Sequence, residues 1–304
     1  MPTFERLECF TDSIGKLEAS INALPTKLKK RIEINVVDNN SSVAVKKKEI
    51  CNKISESGTK VNFQINETNI GIDRNIAKCC TLNPNARFTW VLGDDDPVEI
   101  QTIPKLLEIL IRQRHTAGLV ILNDGTREIN RTTRRTHASF EEYARLVITS
   151  DPYYLIAHTL ISANVFRTSI FCKEHSDYSN NKMMSRKKLG CNFPHMYGIV
   201  SGLLESDRNY TITCTDFKSL DTSNRQPYEK PFGNDIYKLF YFYFMWILIE
   251  IGIPHYTIEQ QNNLWWLKSE EPPQKKPNRI KQLIKAALGP KGIQIINLIW
   301  SSRR

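Results

Sequence analysis

Leu7, Phe10, Ile14, Leu17 and Ile21 recur at helical spacing, so the chain opens with an amphipathic helix soon after the turn-forming Pro2-Thr3. Residues 31–37 alternate in a way that predicts a strand ending on Asp38, followed by the polar cluster Asn39, Asn40, Ser41, Ser42. A helix is expected over 43–57, stopped by Gly58, where a C-terminal glycine belongs. Val61, Phe63 and Ile65 mark the next strand, Asn69 to Gly71 a turn, 72–82 a helix and 88–92 a strand. Further on, 103–113 and 194–205 read as helices, 119–122 and 210–214 as strands, and 159–166 as an apolar stretch. The β-α-β-α-β order with short connections predicts an α/β domain built on a parallel, doubly wound sheet. Such sheets bind ligands beyond the carboxyl ends of their strands, where Asp38 and the triplet Asp94, Asp95, Asp96 are expected to fall.

That triplet is costly to build for stability alone. Three adjacent carboxylates repel one another and are usually held together by a cation or a shared proton. In an extended segment Asp94 and Asp96 project to one side and Asp95 to the other, so two carboxylates can share a hard ion, Mg²⁺ or Mn²⁺. The ion then offers its open positions to phosphate. The competing reading is a turn that caps the next helix, with Pro97 at its first position.

Composition adds a basic appendage. Of the net charge of +10, the last 37 residues carry +7, nine Lys or Arg against Glu270 and Glu271. Ile280, Leu283, Ile284, Ala287 and Leu288 form one apolar face there, with Arg279, Lys281 and Lys285 opposite, a pattern suited to an anionic membrane surface rather than to nucleic acid. Trp265, Trp266 and Trp300 suit the same interface. The apolar run Leu239–Ile249 is eleven residues, short of the ~20 a spanning helix needs. Seven scattered cysteines without C-x-x-C spacing, and no apolar run in the first twenty residues, lead to the expectation of reduced thiols and a cytoplasmic protein peripheral to the inner face of the membrane. Domains are expected at 1–217 and 235–304, joined by a linker over 218–234. Arg127, Arg131, Arg134 and Arg135 crowd one loop, either as a solvated surface or as a flap over phosphates.

Pro2-Thr-Phe-Glu-Arg6, Val36-Val-Asp-Asn-Asn-Ser-Ser42, Asn69-Ile-Gly-Ile-Asp-Arg-Asn75 and Trp90-Val-Leu-Gly-Asp-Asp-Asp96 occur in an order that resembles the family 2 glycosyltransferases of the GT-A fold. The sequence is most similar to the abequosyltransferase-like branch that builds bacterial O-antigen, over about residues 2–215. The resemblance implies a Rossmann-like mixed sheet with a helical C-terminal appendage, a nucleoside-diphosphate sugar donor and a lipid-linked saccharide acceptor. It places Asp38 at the nucleotide base, Arg74 near base or phosphate, Asp94 and Asp95 at ribose and metal, and Asp96 as the direct metal ligand. On the residues alone Asp38 also fits an Asx turn, and Arg74 a surface salt bridge.

Where the family carries an acidic pair before a helix, this chain has Asn192-Phe-Pro-His-Met-Tyr197. His195 becomes a candidate general base, with Asp177 and Glu174 as rivals. Ahead of Pro2 the family has a buried apolar strand, and here there is only Met1, so either the start lies upstream or the first strand is missing or truncated. Two other readings use the same carboxylates: a nucleotidyltransferase, whose Gly-rich basic loop is not evident, and a non-catalytic cation-binding protein.

Overall fold

The computed structural model describes residues 1–56, 58–123, 135–140, 142–143, 160–171, 194–206 and 208–221. The chain divides into two compact units, the first made of Met1–Phe140, Ala157–Asn180 and Asn192–Glu229. The second comprises Glu141–Ile156, Asn181–Cys191 and Lys230–Arg304, of which the described residues include only Glu142 and Tyr143. The basic C-terminal helix, Asp177, Glu174 and three of the four loop arginines therefore lie outside the described residues.

In the first unit a short strand β1 (Pro2–Thr3) leads into α1 (Leu7–Asn22), a short α2 (Thr26–Lys29) and β2 (Glu33–Asp38). Then come α3 (Ala44–Glu56), β3 (Lys60–Ile65), α4 (Ile72–Thr81), β4 (Phe88–Trp90), α5 (Thr102–Arg112) and β5 (Ala117–Asn123). After β6 (Arg135–His137) come β7 (Asn164–Arg167), α6 (Pro194–Leu204) and β8 (Thr211–Lys218). Phe10, Ile14, Leu17 and Ile21 of α1 form the buried stripe that the spacing predicts. They pack with Ile34 and Val36 of β2, Cys51 and Ile54 of α3, and Leu92 and Ile103. Each such side chain contributes about 1.5–3 kcal/mol by leaving water. α3 stops just before Gly58, whose φ of +95° is the left-handed conformation a glycine tolerates without cost.

The strands form two sheets. β1, β2 and β3 are parallel; β4, β7, β5, β8 and β6 make a mixed sheet in that order. The first strand is a two-residue stub, with Pro2 opposite Val37 and Thr3 opposite Asp38. The Met1 amine continues the ladder by donating to the Asn35 carbonyl at 2.7 Å. Beyond that stub nothing joins β2 to β4 by hydrogen bonds among the described residues. A cavity of 580 Å³ is lined instead by Glu33, Ile34 and Asn35 on one side and by Phe88, Thr89 and Trp90 on the other. Its lining includes none of the aspartates singled out above, so it marks a gap in the sheet rather than the polar site. No described helix is long and apolar enough to cross a membrane.

Candidate functional site at the strand ends

Asp38, the last residue of β2, is fully buried. Its Oδ1 accepts the Ser41 amide at 2.6 Å and its Oδ2 accepts the Ser41 hydroxyl at 2.7 Å, which is the Asx turn that the residues alone allowed. Its second partner was not foreseen. Lys47 of α3 is fully buried, donates to Asp38 Oδ2 at 3.1 Å and to the Thr3 hydroxyl at 2.8 Å, and lies 5.6 Å from the centre of the Phe10 ring. The signal was available: Ala44, Lys47, Cys51 and Ile54 are the buried face of α3, and a lysine in an apolar stripe needs an anion.

Thr3 passes the connection on, donating its hydroxyl to Asp94 Oδ2 at 2.6 Å. Asp94 is fully buried, and burial raises its carboxyl above the ordinary value; the Thr3 hydrogen bond and the Arg6 charge oppose that rise without reversing it. Arg6 forks across the triplet, with Nη2 on Asp94 Oδ1 and Nη1 on Asp95 Oδ2, the latter at 2.6 Å. Asp96 is buried and accepts the Ser162 hydroxyl at 2.6 Å, while Ser162 Oγ accepts the Gly93 amide at 2.8 Å. A continuous chain of polar contacts thus runs from Asp38 through Lys47, Thr3, Asp94 and Arg6 to Asp95.

The local backbone differs from the extended segment expected. Asp94 and Asp95 form a turn, closed by the Asp96 amide on the Gly93 carbonyl at 3.4 Å. In this turn Asp94 and Asp95 share the Arg6 guanidinium. A Cβ at Gly93 would sit 2.9 Å from Asp96 Oδ2 and 3.1 Å from Asp95 Oδ1, so a larger residue there would shift the acidic side chains. The helix-capping alternative does not hold for Pro97, since α5 starts at Thr102. Val98 instead bridges Leu220, and the Pro97 carbonyl accepts the Asp221 amide at 2.7 Å, which fixes the exit of the acidic turn.

The second and third resemblance motifs meet through asparagines. Asn39 Nδ2 donates to Asn69 Oδ1 at 2.8 Å, and Asn66 Nδ2 donates to Asn39 Oδ1 at 3.0 Å and to Asn75 Oδ1 at 2.9 Å. Arg74, between them on α4, is exposed and has no ion pair among the described residues. Its neighbour Asp73 is buried with Oδ1 lacking a hydrogen-bond partner, and burial raises its carboxyl. His195, in the first turn of α6, is only 2% exposed.

For a divalent cation, no three His, Cys, Asp or Glu side chains among the described residues converge into a finished cage. The donor set nonetheless fits Mg²⁺ or Mn²⁺. These ions take hard oxygen ligands and are commonly held by one or two carboxylates, with substrate phosphates and water completing the shell. A cation already bridges two of the carboxylates in question.

Neither a protein-family model nor a curated protein sequence matches the chain. Solved structures do. TarS residues 1–349 from S. aureus in complex with UDP aligns with a TM-score of 0.54 and 14% identity, over 99% of this chain and 85% of that one. The same protein with UDP-GlcNAc gives a TM-score of 0.52 at 13% identity, over 98% and 80%. Against a longer TarS structure the match spans 51% of that chain. With the mixed α/β architecture and the acidic turn beyond its strands, these likenesses show that the chain has the GT-A fold.

Proposed function

We propose that the chain is a metal-dependent glycosyltransferase, moving a hexose from a nucleoside-diphosphate sugar to a lipid-linked saccharide in bacterial O-antigen or other surface-polysaccharide synthesis. The observation that carries the reading is the Asp94–Asp96 turn at the strand ends of a GT-A fold, tied by Lys47 and Thr3 to Asp38 at the end of β2 in the other sheet. Asp96 and Asp94 are the residues to hold Mg²⁺ or Mn²⁺, with Asp95, the other acceptor of the Arg6 fork, facing ribose and metal beside them. Held by these carboxylates, such an ion would supply charge neutralisation for the leaving diphosphate. Asp38 shapes the base end by fixing the Ser41 turn, and the exposed guanidinium of Arg74 offers a fork to anionic oxygens. The base that deprotonates the acceptor is His195, with Asp177 and Glu174 as its rivals. The basic amphipathic C-terminal sequence supports docking on an anionic inner leaflet, where a lipid-linked acceptor would be met. Since TarS binds UDP and UDP-GlcNAc, uridine donors are the first choice.

The test is a thermal-shift series with UDP, CDP, GDP and dTDP, each with and without Mn²⁺. A ligand at ~100 times its dissociation constant adds about 2.7 kcal/mol. One nucleotide is expected to stabilise the protein only with metal present, and Asp96→Asn to abolish that shift while melting normally without ligand. Stabilisation by metal alone supports a structural cation site instead, and nucleotide binding unaffected by Asp96→Asn refutes the assignment of the metal ligand.

A further inference from the structure

We propose that Arg6 is a built-in counter-cation for the acidic turn: it occupies the metal-facing oxygens of Asp94 and Asp95 in the metal-free protein, and a divalent ion must displace it to bind. The inference rests on the metal site of the preceding reading. Three observations lead to it. First, the contact is a fork onto two different carboxylates, the arrangement in which a planar guanidinium is favoured over an ammonium. Asp94 Oδ2 is already taken by Thr3, so Arg6 covers the oxygen that remains.

Second, the chain holds Arg6 there at a local cost. Glu5 and Arg6 have φ of +49° and +37°, a left-handed pair that side chains with a Cβ avoid. The pair is anchored by the Glu5 carboxylate, which accepts the Ser42 amide at 3.0 Å and the Ser42 hydroxyl at 2.8 Å. β1 ends and α1 begins across this kink, so the kink aims the Arg6 side chain back over the turn instead of along the helix.

Third, Arg6 is free to leave. Its side chain is 48% exposed, whereas Asp94 beneath it is buried, so swinging it into solvent disturbs no core packing. One guanidinium leaves the two carboxylates at a net charge of −1, and a divalent ion brings them to zero. Two cations crowded onto the same pair of carboxylates repel at close range, so metal binding and the Arg6 contact oppose one another. If the Arg6-out state is populated at about 10%, apparent metal affinity is about tenfold weaker than that of the bare carboxylates.

The experiment is Mn²⁺ titration followed by electron paramagnetic resonance, on the full chain and on Arg6→Ala and Arg6→Lys, without nucleotide. Arg6→Ala is expected to bind Mn²⁺ about tenfold more tightly and to melt lower in EDTA, with the melting loss recovered by Mn²⁺. Arg6→Lys, which keeps the charge and loses the fork, is expected to bind several-fold more tightly than the parent. Unchanged or weaker uptake by Arg6→Ala overturns the proposal and leaves the donor-site reading standing. Lysine behaving as the parent assigns the effect to charge alone and overturns the role of the guanidinium fork. Mn²⁺ uptake by none of the three proteins refutes the metal site itself. Should Arg6→Ala fail to fold, Arg6→Lys against the parent decides the matter.

Discussion

Replacing Lys47 by Met is the most direct test of how the strand ends are held. Methionine keeps an unbranched stem to pack beside Phe10, so the change removes little volume and chiefly deletes a charge. Both members of the Lys47–Asp38 pair are fully buried, and removing one partner of such a pair costs about 3–5 kcal/mol. The loss should fall near the lower end, about 3 kcal/mol, because Asp38 keeps its two hydrogen bonds from Ser41. For a unit of this size that is a drop in melting temperature of roughly 6–12 °C. Urea denaturation of the parent, Lys47→Met, Asp38→Asn and the double variant completes a cycle. Asp38→Asn alone leaves a buried ammonium short of its anion, and the double variant leaves neither charge. A coupling of about 2 kcal/mol, with the double variant more stable than Lys47→Met, is expected. A loss under 1 kcal/mol, or additive single effects, would refute the view that this pair is a structural tie.

Ser162→Ala removes the group that serves both the Gly93 amide and the Asp96 carboxylate, and should cost about 1–3 kcal/mol by thermal or urea denaturation. A change within 0.5 kcal/mol would show that the acidic turn is held elsewhere. Asp73→Asn should alter the pH profile in one direction. Because burial raises the Asp73 carboxyl in the folded state, its favourable contribution is complete below the unfolded value and is lost as pH rises through the folded one. The variant should therefore gain stability relative to the parent as pH rises above about 4, the ordinary carboxyl value, and urea midpoints whose difference does not change with pH would refute this.

The parts of the molecule legible in the sequence were those governed by periodicity. The α1 stripe, the β2 strand ending on Asp38 and the helix beginning at Pro194 needed only local pattern. β8 runs on to Lys218, past the expected end at Cys214, because its register shifts against β5 carry pairing through polar residues that alternation does not mark. β6 escaped notice because Arg135–His137 has no apolar run and gains its ladder from β8 alone. At the site, the positions of the acidic residues followed from strand ends, but their partners did not. Lys47 and Ser162 reach Asp38 and Asp96 from 9 and 66 residues away, and Thr3 reaches Asp94 from 91 away. No spacing rule along the chain encodes such contacts.

The gap between β2 and β4 gives the site a mechanical role. Two sheets that share no backbone ladder can open as separate cooperative units, so amide hydrogen exchange should protect β2 and β3 to a different level from β5 and β8. At the carboxyl ends the polar route from one sheet to the other runs through Lys47, Thr3 and Asp94. A ligand spanning Asp38 and the acidic turn would then act as a clasp, raising the protection of both sheets together and making one exchanging body of two.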